Sequence, residues 1–290
     1  MVKRAARIAA ALVMFCAMAA VAHAADLKDP NVIIKKSWAK ISSLKSYSYV
    51  VWGEGWESDL SDIEKRTKNV SSEVGDKYGS KMASKGADAP KNTGKPKKMG
   101  YHVTFKYMKP YLSQMIVDQS DYVPKIIYGS ILTYRPDKDA SSFTVKPKIS
   151  PMPIKRDIGS ESGTLLYSSM HMQFIKMELM GMDIKPVFKG VKKFEGKDCY
   201  VVAYVVPKGK KLKEHKVDFK KWKDIPFEAR PLIVKEAKGL LDKPFSSKLY
   251  YFDKSTLWLV GIEEFDAAGK LRYSNWWRNI KENTLSDKDF

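Results

Sequence analysis

The sequence predicts an α+β protein, one antiparallel β-sheet carrying a few helices. Three observations predict it. The last stretch, Ser247 to Phe290, reads as three short strands joined by two Asp-led turns. Further upstream, apolar and polar residues alternate with period two. Tyr101, Val103, Phe105 and Tyr107 face one way, and His102, Thr104 and Lys106 the other. Near the start, Ile34, Trp38, Ile41 and Leu44 recur at helical spacing opposite Lys35, Lys36 and Lys40.

The chain begins with the pattern of a secretory leader. Lys3, Arg4 and Arg7 precede the apolar run Ile8 to Val21, and Ala22-His23-Ala24 forms a small-residue cleavage site. Cleavage is expected after Ala24, with export to the periplasm. The run is too short for a membrane span, and Cys16 follows Val13-Met14-Phe15, which is no lipoprotein cleavage box. Residues 25–290 are expected to form a single soluble domain.

Helix signals lie at Asn31 to Leu44, where Asn31 is the expected cap. A β-branched and aromatic run follows from Tyr47 to Trp52. Residues 65–99 are rich in Lys, Ser and Gly and poor in large apolar side chains, so they are expected to be a flexible basic insertion. Strand signals resume at Tyr101, Leu112 to Val117, Lys125 to Tyr128, Ile131 to Tyr134 and Phe143 to Val145. A helix is expected over Gly163 to Met182, then strands at Val187 to Val191 and Cys199 to Val206. A second basic stretch, Lys208 to Lys223, precedes a helix over Pro226 to Leu241.

In the final meander, Leu249 to Phe252 is an aromatic strand and Asp253 to Thr256 a turn, because an Asp carboxylate accepts from nearby backbone N–H groups. Leu257 to Phe265 is the second strand, Asp266 to Gly269 the second turn and Leu271 to Trp277 the third strand.

Net charge is +19. For a cytoplasmic chain such a balance suggests nucleic acid. Export points instead to the anionic surfaces of a bacterial envelope, so the expected contact is a transient one with an anionic membrane, made by a monomer, and no nucleic acid.

Enzymatic motifs are missing. After the leader only Cys199 remains, which cannot form an internal disulfide and reads as a buried strand residue. His102, His171 and His215 lie in three different elements, without metalloprotease, redox or haem spacing. Ser160 is misplaced for a nucleophile elbow. Glu263 and Glu264 are strand neighbours that point to opposite faces and cannot flank one glycosidic bond. No cofactor, metal or catalytic residue is assigned.

Met170, Met172, Met177, Met180 and Met182 crowd one helix beside Phe174. Thioether side chains repack around variable apolar shapes. A lid or pocket wall, ordinary core packing, and copper ligation around His171 all remain open.

A family resemblance enters here. The ending "YYFDKSTLWLVGIEEFDAAGKL…NIKENTLSDKDF" resembles that of the LolA/LolB-like superfamily of periplasmic lipoprotein carriers, and more closely an uncharacterised family of secreted bacterial proteins within it. "LKSYSYVVWGEG", "FKYMKPYLSQMIV", "YGSILTYRPDKDASSFTV" and "FEGKDCYVVAYVV" extend it in order over most of the chain. It implies a strongly curved, half-open barrel of antiparallel strands wrapped around helices, whose concave apolar face sequesters lipid acyl chains or acylated lipoproteins without chemistry. On that reading Ile34, Trp38, Ile41, Met170, Phe174 and Met177 form the helical lid, and Val103, Phe105, Leu257 and Leu259 the wall. Lys95, Lys97, Lys98, Lys220, Lys221 and Trp222 are candidates for a membrane-facing basic rim, or for a plain solvated surface. The alternative is an envelope interaction module with a filled core and no lipid ligand.

Overall fold

Among the described residues, eleven strands form one sheet in the order β6-β5-β4-β3-β2-β1-β11-β10-β9-β8-β7, and each pairing is antiparallel. In this computed structural model the described residues are 27–57, 96–122, 125–148, 152–158, 170–242 and 245–290. The strands are β1 (Ser46–Glu57), β2 (Lys97–Met108), β3 (Leu112–Ser120), β4 (Ile131–Tyr134), β5 (Ser142–Lys146) and β6 (Ile154–Asp157), then β7 (Val187–Phe194), β8 (Lys197–Val205), β9 (Ser247–Asp253), β10 (Leu259–Phe265) and β11 (Leu271–Glu282). The α-helices among the described residues are α1 (Pro30–Ser43), α2 (Met170–Asp183) and α3 (Arg230–Asp242).

The sheet is open, curved and wrapped around its helices. Its two edge strands are β6 and β7. Unpaired strand edges invite aggregation. Here they carry charge: Lys155 and Arg156 on β6, and Lys189, Lys192 and Lys193 on β7. A register shift between Phe188 and Val191, with Gly190 at φ 89°, further distorts β7.

Alternation decides the two faces. Tyr47, Tyr49 and Val51 of β1 sit opposite Tyr107, Phe105 and Val103 of β2, all buried. Trp52, Glu54 and Trp56 point the other way. The inner face continues through Trp277, Ile262, Tyr250 and Val202. The C-terminal residues cross the outer face. Asn283 Oδ1 accepts from Lys45 N at 2.8 Å, Leu285 N donates to Ser46 Oγ at 3.2 Å, and Lys106 Nζ donates to the Asp289 carbonyl at 3.0 Å.

Local chemistry explains the boundaries. Pro30 opens α1, and Asp29 rather than Asn31 is its cap, accepting from Asn31 N at 2.8 Å. The buried stripe of α1 is Ile33, Ser37 and Ile41, which leaves Ile34 and Trp38 on its flank. In the Asp253 turn, Oδ1 accepts from Ser255 N at 2.9 Å and Thr256 N at 3.0 Å. Leu257 belongs to that turn with φ 59°, and not to the strand expected to contain it.

Other expectations are corrected. Lys125–Ile127 form a 3-10 turn closed by Tyr128 N to the Lys125 carbonyl at 3.0 Å, in place of a strand. Lys97–Met99, placed at the end of the expected basic insertion, pair with Gly55–Glu57, and Met99 is fully buried; residues 58–95, which hold the rest of that expectation, lie outside the described residues. The leader, Lys95, Ser160 and the first residues of the expected Gly163 to Met182 helix lie outside the described residues.

Candidate functional site

Helix α2 is buried nearly all round: Met170, His171, Met172, Phe174, Ile175, Met177, Leu179 and Met180 are all enclosed. It lies against the inner face of the sheet. Its Met170 N donates to the Tyr49 hydroxyl at 3.1 Å, and His171 Nδ1 lies 3.0 Å from the Tyr47 hydroxyl. The rings of Tyr107, Tyr111 and Trp38 close around the same imidazole at 4.8, 6.0 and 5.2 Å. Burial, and then the positive charge of Lys109, lowers its pKa to about 3, so the ring is neutral. An imidazole held this way is a packing group, with one nitrogen already committed to Tyr47.

The concavity is therefore occupied by protein. Tyr47, Tyr49, Phe105, Tyr107, Tyr134, Phe143, Tyr250 and Phe252 are at most 2% exposed. Seven of the expected lid and wall residues, Ile41, Val103, Phe105, Met170, Phe174, Met177 and Leu259, are packed in this core. Of these, Ile41, Val103, Phe105, Met170 and Leu259 line none of the described cavities. Leu257, half-buried in its turn, packs against the same cluster.

Open apolar space lies one layer out, between α1 and α2. This groove has a volume of about 380 Å³. Four expected lid residues, Ile34, Trp38, Phe174 and Met177, line it together with Tyr204 and Trp222. Trp38 stands at its centre, 5.2 Å from Phe174 and 4.6 Å from Trp222, ring centroid to centroid. Gly181 leaves room at one end, where a Cβ would meet only the Tyr204 hydroxyl, at 4.0 Å. Lys35 and Lys221 stand at the rim, with Lys221 Nζ 2.8 Å from Glu178 Oε1.

The expected basic rim does not come together as one surface. Trp222 is 6% exposed and packs against Trp38 with the two rings tilted by 54°, so it is a core residue and not an interfacial anchor. Its lysine-rich neighbours concealed an apolar side chain that the groove needs. Lys221 belongs to the helix side of the sheet, while Lys98 pairs at 2.7 Å with Glu54 on the outer face. Lys97 and Lys220 are exposed.

A second cavity, about 250 Å³, lies beyond α2 against α3 and residues 212–219. Leu179, Met180, Leu212, Phe219 and Ala237 form its apolar walls, and His215 Nε2 stands 3.1 Å from Asp183 Oδ1 at its border. The basic composition of 208–223 hid Leu212, Val217 and Phe219, whose apolar side chains pack on the core. Among the described residues, no group of three His, Cys, Asp or Glu side chains is placed to hold a metal ion. Cys199 is buried and its thiol is pushed up to about 11 by burial, then by Asp253, the opposite of an activated nucleophile.

No protein-family model matches the chain, and no curated protein matches it. Solved structures do. Mycobacterium tuberculosis lipoprotein LppX is similar at 10% identity and a TM-score of 0.41, over 88% of this chain and 96% of that one. An uncharacterised conserved protein from Thermus thermophilus gives 6%, 0.40, 88% and 90%. A LolA superfamily protein from Nitrosomonas europaea gives 11%, 0.30, 91% and 97%. At identities and scores this low the likenesses carry no argument about function, and the architecture above stands on its own strand order.

Proposed function

We propose that this protein is an exported, non-enzymatic binding protein that holds an apolar chain, such as a lipid acyl tail, in the groove between α1 and α2. The observation that carries the reading is the groove itself: about 380 Å³ of open space walled by Ile34, Trp38, Phe174 and Met177. That volume falls in the range of small-molecule sites, roughly 300–1,000 Å³. Each methylene moved from water onto such a wall gains about 0.8 kcal/mol. Met177 adapts to differing chain shapes. Lys35 at the rim, beside the ion pair of Lys221 with Glu178, leaves a net positive charge that favours an anionic headgroup outside the groove. The leader at residues 1–24 supports export, and the net charge of +19 supports transient contact with an anionic leaflet.

The aromatic filling of the concavity favours a second reading, an interaction module that binds no lipid. Titration with a fluorescent fatty acid separates the two. Gly181→Leu projects a side chain into the groove from a position with nothing nearer than 4.0 Å to its Cβ. Saturable binding by the wild type that this variant abolishes supports the lipid reading. No saturable binding, or binding that the plug leaves unchanged, removes it.

A further inference from the structure

We infer that the cleft bordered by Lys220, Lys223 and Arg230 binds a phosphate monoester, either free or as a lipid headgroup. The cleft lies where the 206–229 segment meets the first turn of α3. It shares no lining residue with the groove between α1 and α2, and does not depend on that reading.

The local sequence alternates apolar anchors with cations. Phe219 packs on the core, and Trp222, Ile225 and Ala229 are buried. Backbone turns fix the spacing: Lys221 N donates to the Asp218 carbonyl at 3.0 Å, and Ile225 N to the Trp222 carbonyl at 3.1 Å. With the apolar side chains drawn inward, Lys220 and Lys223 stay exposed and border, with Arg230, one open cleft of about 800 Å³.

Arg230 sets this cleft apart from a solvated basic surface. It is half-buried, its guanidinium carbon 5.0 Å from the centre of the Phe219 ring and 5.7 Å from that of Phe227. Its Nε is buried and has no hydrogen-bond acceptor. Buried N–H groups nearly always have one. Among the described residues, neither Arg230 nor Lys220 nor Lys223 makes an ion pair. The carboxylate that borders the cleft, Asp218, accepts instead from Lys220 N at 3.1 Å. The protein thus supplies the guanidinium with aromatic packing and no counter-charge. An arginine held in place before binding loses little side-chain entropy when an anion arrives.

Charge selects the ligand class. Three cations and one carboxylate leave two positive charges at the cleft. A phosphate monoester carries about −1.5 to −2 near pH 7. A carboxylate or a phosphodiester carries a single charge and matches less well. The planar guanidinium fork fits a pair of phosphate oxygens. Phe227, 74% exposed beside Arg230, offers an apolar contact to the group that bears the phosphate.

The test is a titration of the secreted protein with glycerol 3-phosphate by isothermal calorimetry, and co-sedimentation with phosphatidylcholine vesicles with and without phosphatidic acid. Saturable binding to glycerol 3-phosphate assigns the site to the phosphate itself. Binding to the phosphatidic acid vesicles alone assigns it to a lipid headgroup. Either result sustains the inference when Arg230→Gln weakens it about tenfold or more and Arg230→Lys recovers part of the loss. Lys220→Gln with Lys223→Gln, at two exposed positions outside the core, should weaken it likewise without disturbing the fold. Lys138→Gln with Lys192→Gln removes the same charge from exposed positions elsewhere and should leave binding unchanged. Absence of binding to both probes overturns the inference, as does binding that survives the cleft variants. An equal loss in the Lys138 and Lys192 variant overturns it in favour of diffuse surface charge.

Discussion

The Tyr47 hydroxyl lies 3.0 Å from Nδ1 of His171, and this contact fastens the central strand β1 to helix α2 inside a cage of aromatic rings. The folded protein keeps the imidazole neutral down to about pH 3, whereas the unfolded chain protonates it near 6.5. Between those values the unfolded state binds the extra proton. Stability should therefore fall as pH drops from 6.5 towards 3, by on the order of 1 kcal/mol per unit, and this residue should contribute no slope above 6.5. Urea denaturation at pH 7.5, 6 and 4.5 checks it against His171→Phe, which should flatten the acid limb. An unchanged slope in that variant would assign the acid sensitivity to other groups.

Lys248 Nζ and Glu264 Oε2 are 2.6 Å apart at one end of the inner face, and Arg272 Nη2 reaches Glu264 Oε1 at 3.0 Å. The Lys248 and Glu264 side chains are only 12% and 10% exposed. Burial lowers the Lys248 pKa, with Glu264 opposing that shift. Glu264→Gln would leave a lysine with its charge uncompensated, at about 3–5 kcal/mol. The joint change Lys248→Met with Glu264→Leu removes both charges and should be milder than Glu264→Gln alone. Chemical denaturation of the two variants decides it. A double variant less stable than the single one contradicts this account of the pair.

Which parts of this molecule its sequence discloses depends on how local the determining forces are. The closing meander was legible because Asp253 and Asp266 cap their own turns within four residues. The period-two alternation from Tyr101 to Tyr107 named a strand and a buried face correctly. Helix α1 was legible as an element, and Ile41 and Leu44 are buried as expected, but over its first turns Ile33 and Ser37 are buried, one residue before Ile34 and Trp38. That displacement is what leaves Ile34 and Trp38 free to line the groove. The groove itself unites α1, α2, Tyr204 of β8 and Trp222 from a basic loop, and no local pattern records such a meeting. Trp222 was misjudged for the same reason: its neighbours in sequence are lysines, while its neighbours in space are rings.

Gly261 illustrates a constraint on the outer face. A Cβ there would fall 2.2 Å from the Phe194 ring, which itself stacks on Tyr251 at 4.2 Å. Gly261→Ala should thus destabilise by about 1–3 kcal/mol through overpacking. With Phe194→Ala also present the added methyl has space, so the second substitution should contribute much less than it does alone. A thermal-melt cycle of the four proteins measures this coupling, and simple additivity would show that Phe194 moves aside freely.

Trp38 and Trp222 test the groove as architecture. Their centroids are 4.6 Å apart, and Trp222 joins the 206–229 segment to the wall that α1 presents. If Trp222 were a membrane anchor, Trp222→Ala would spare stability and reduce vesicle binding. As a core residue its truncation should instead destabilise by about 3–5 kcal/mol and enlarge the groove. Trp222→Phe keeps a ring against Trp38 and should recover most of that loss. Urea midpoints of both variants, read with fatty-acid titrations, separate the roles: a stable Trp222→Ala protein with unaltered fatty-acid binding would mean that the indole neither supports the core nor shapes the groove.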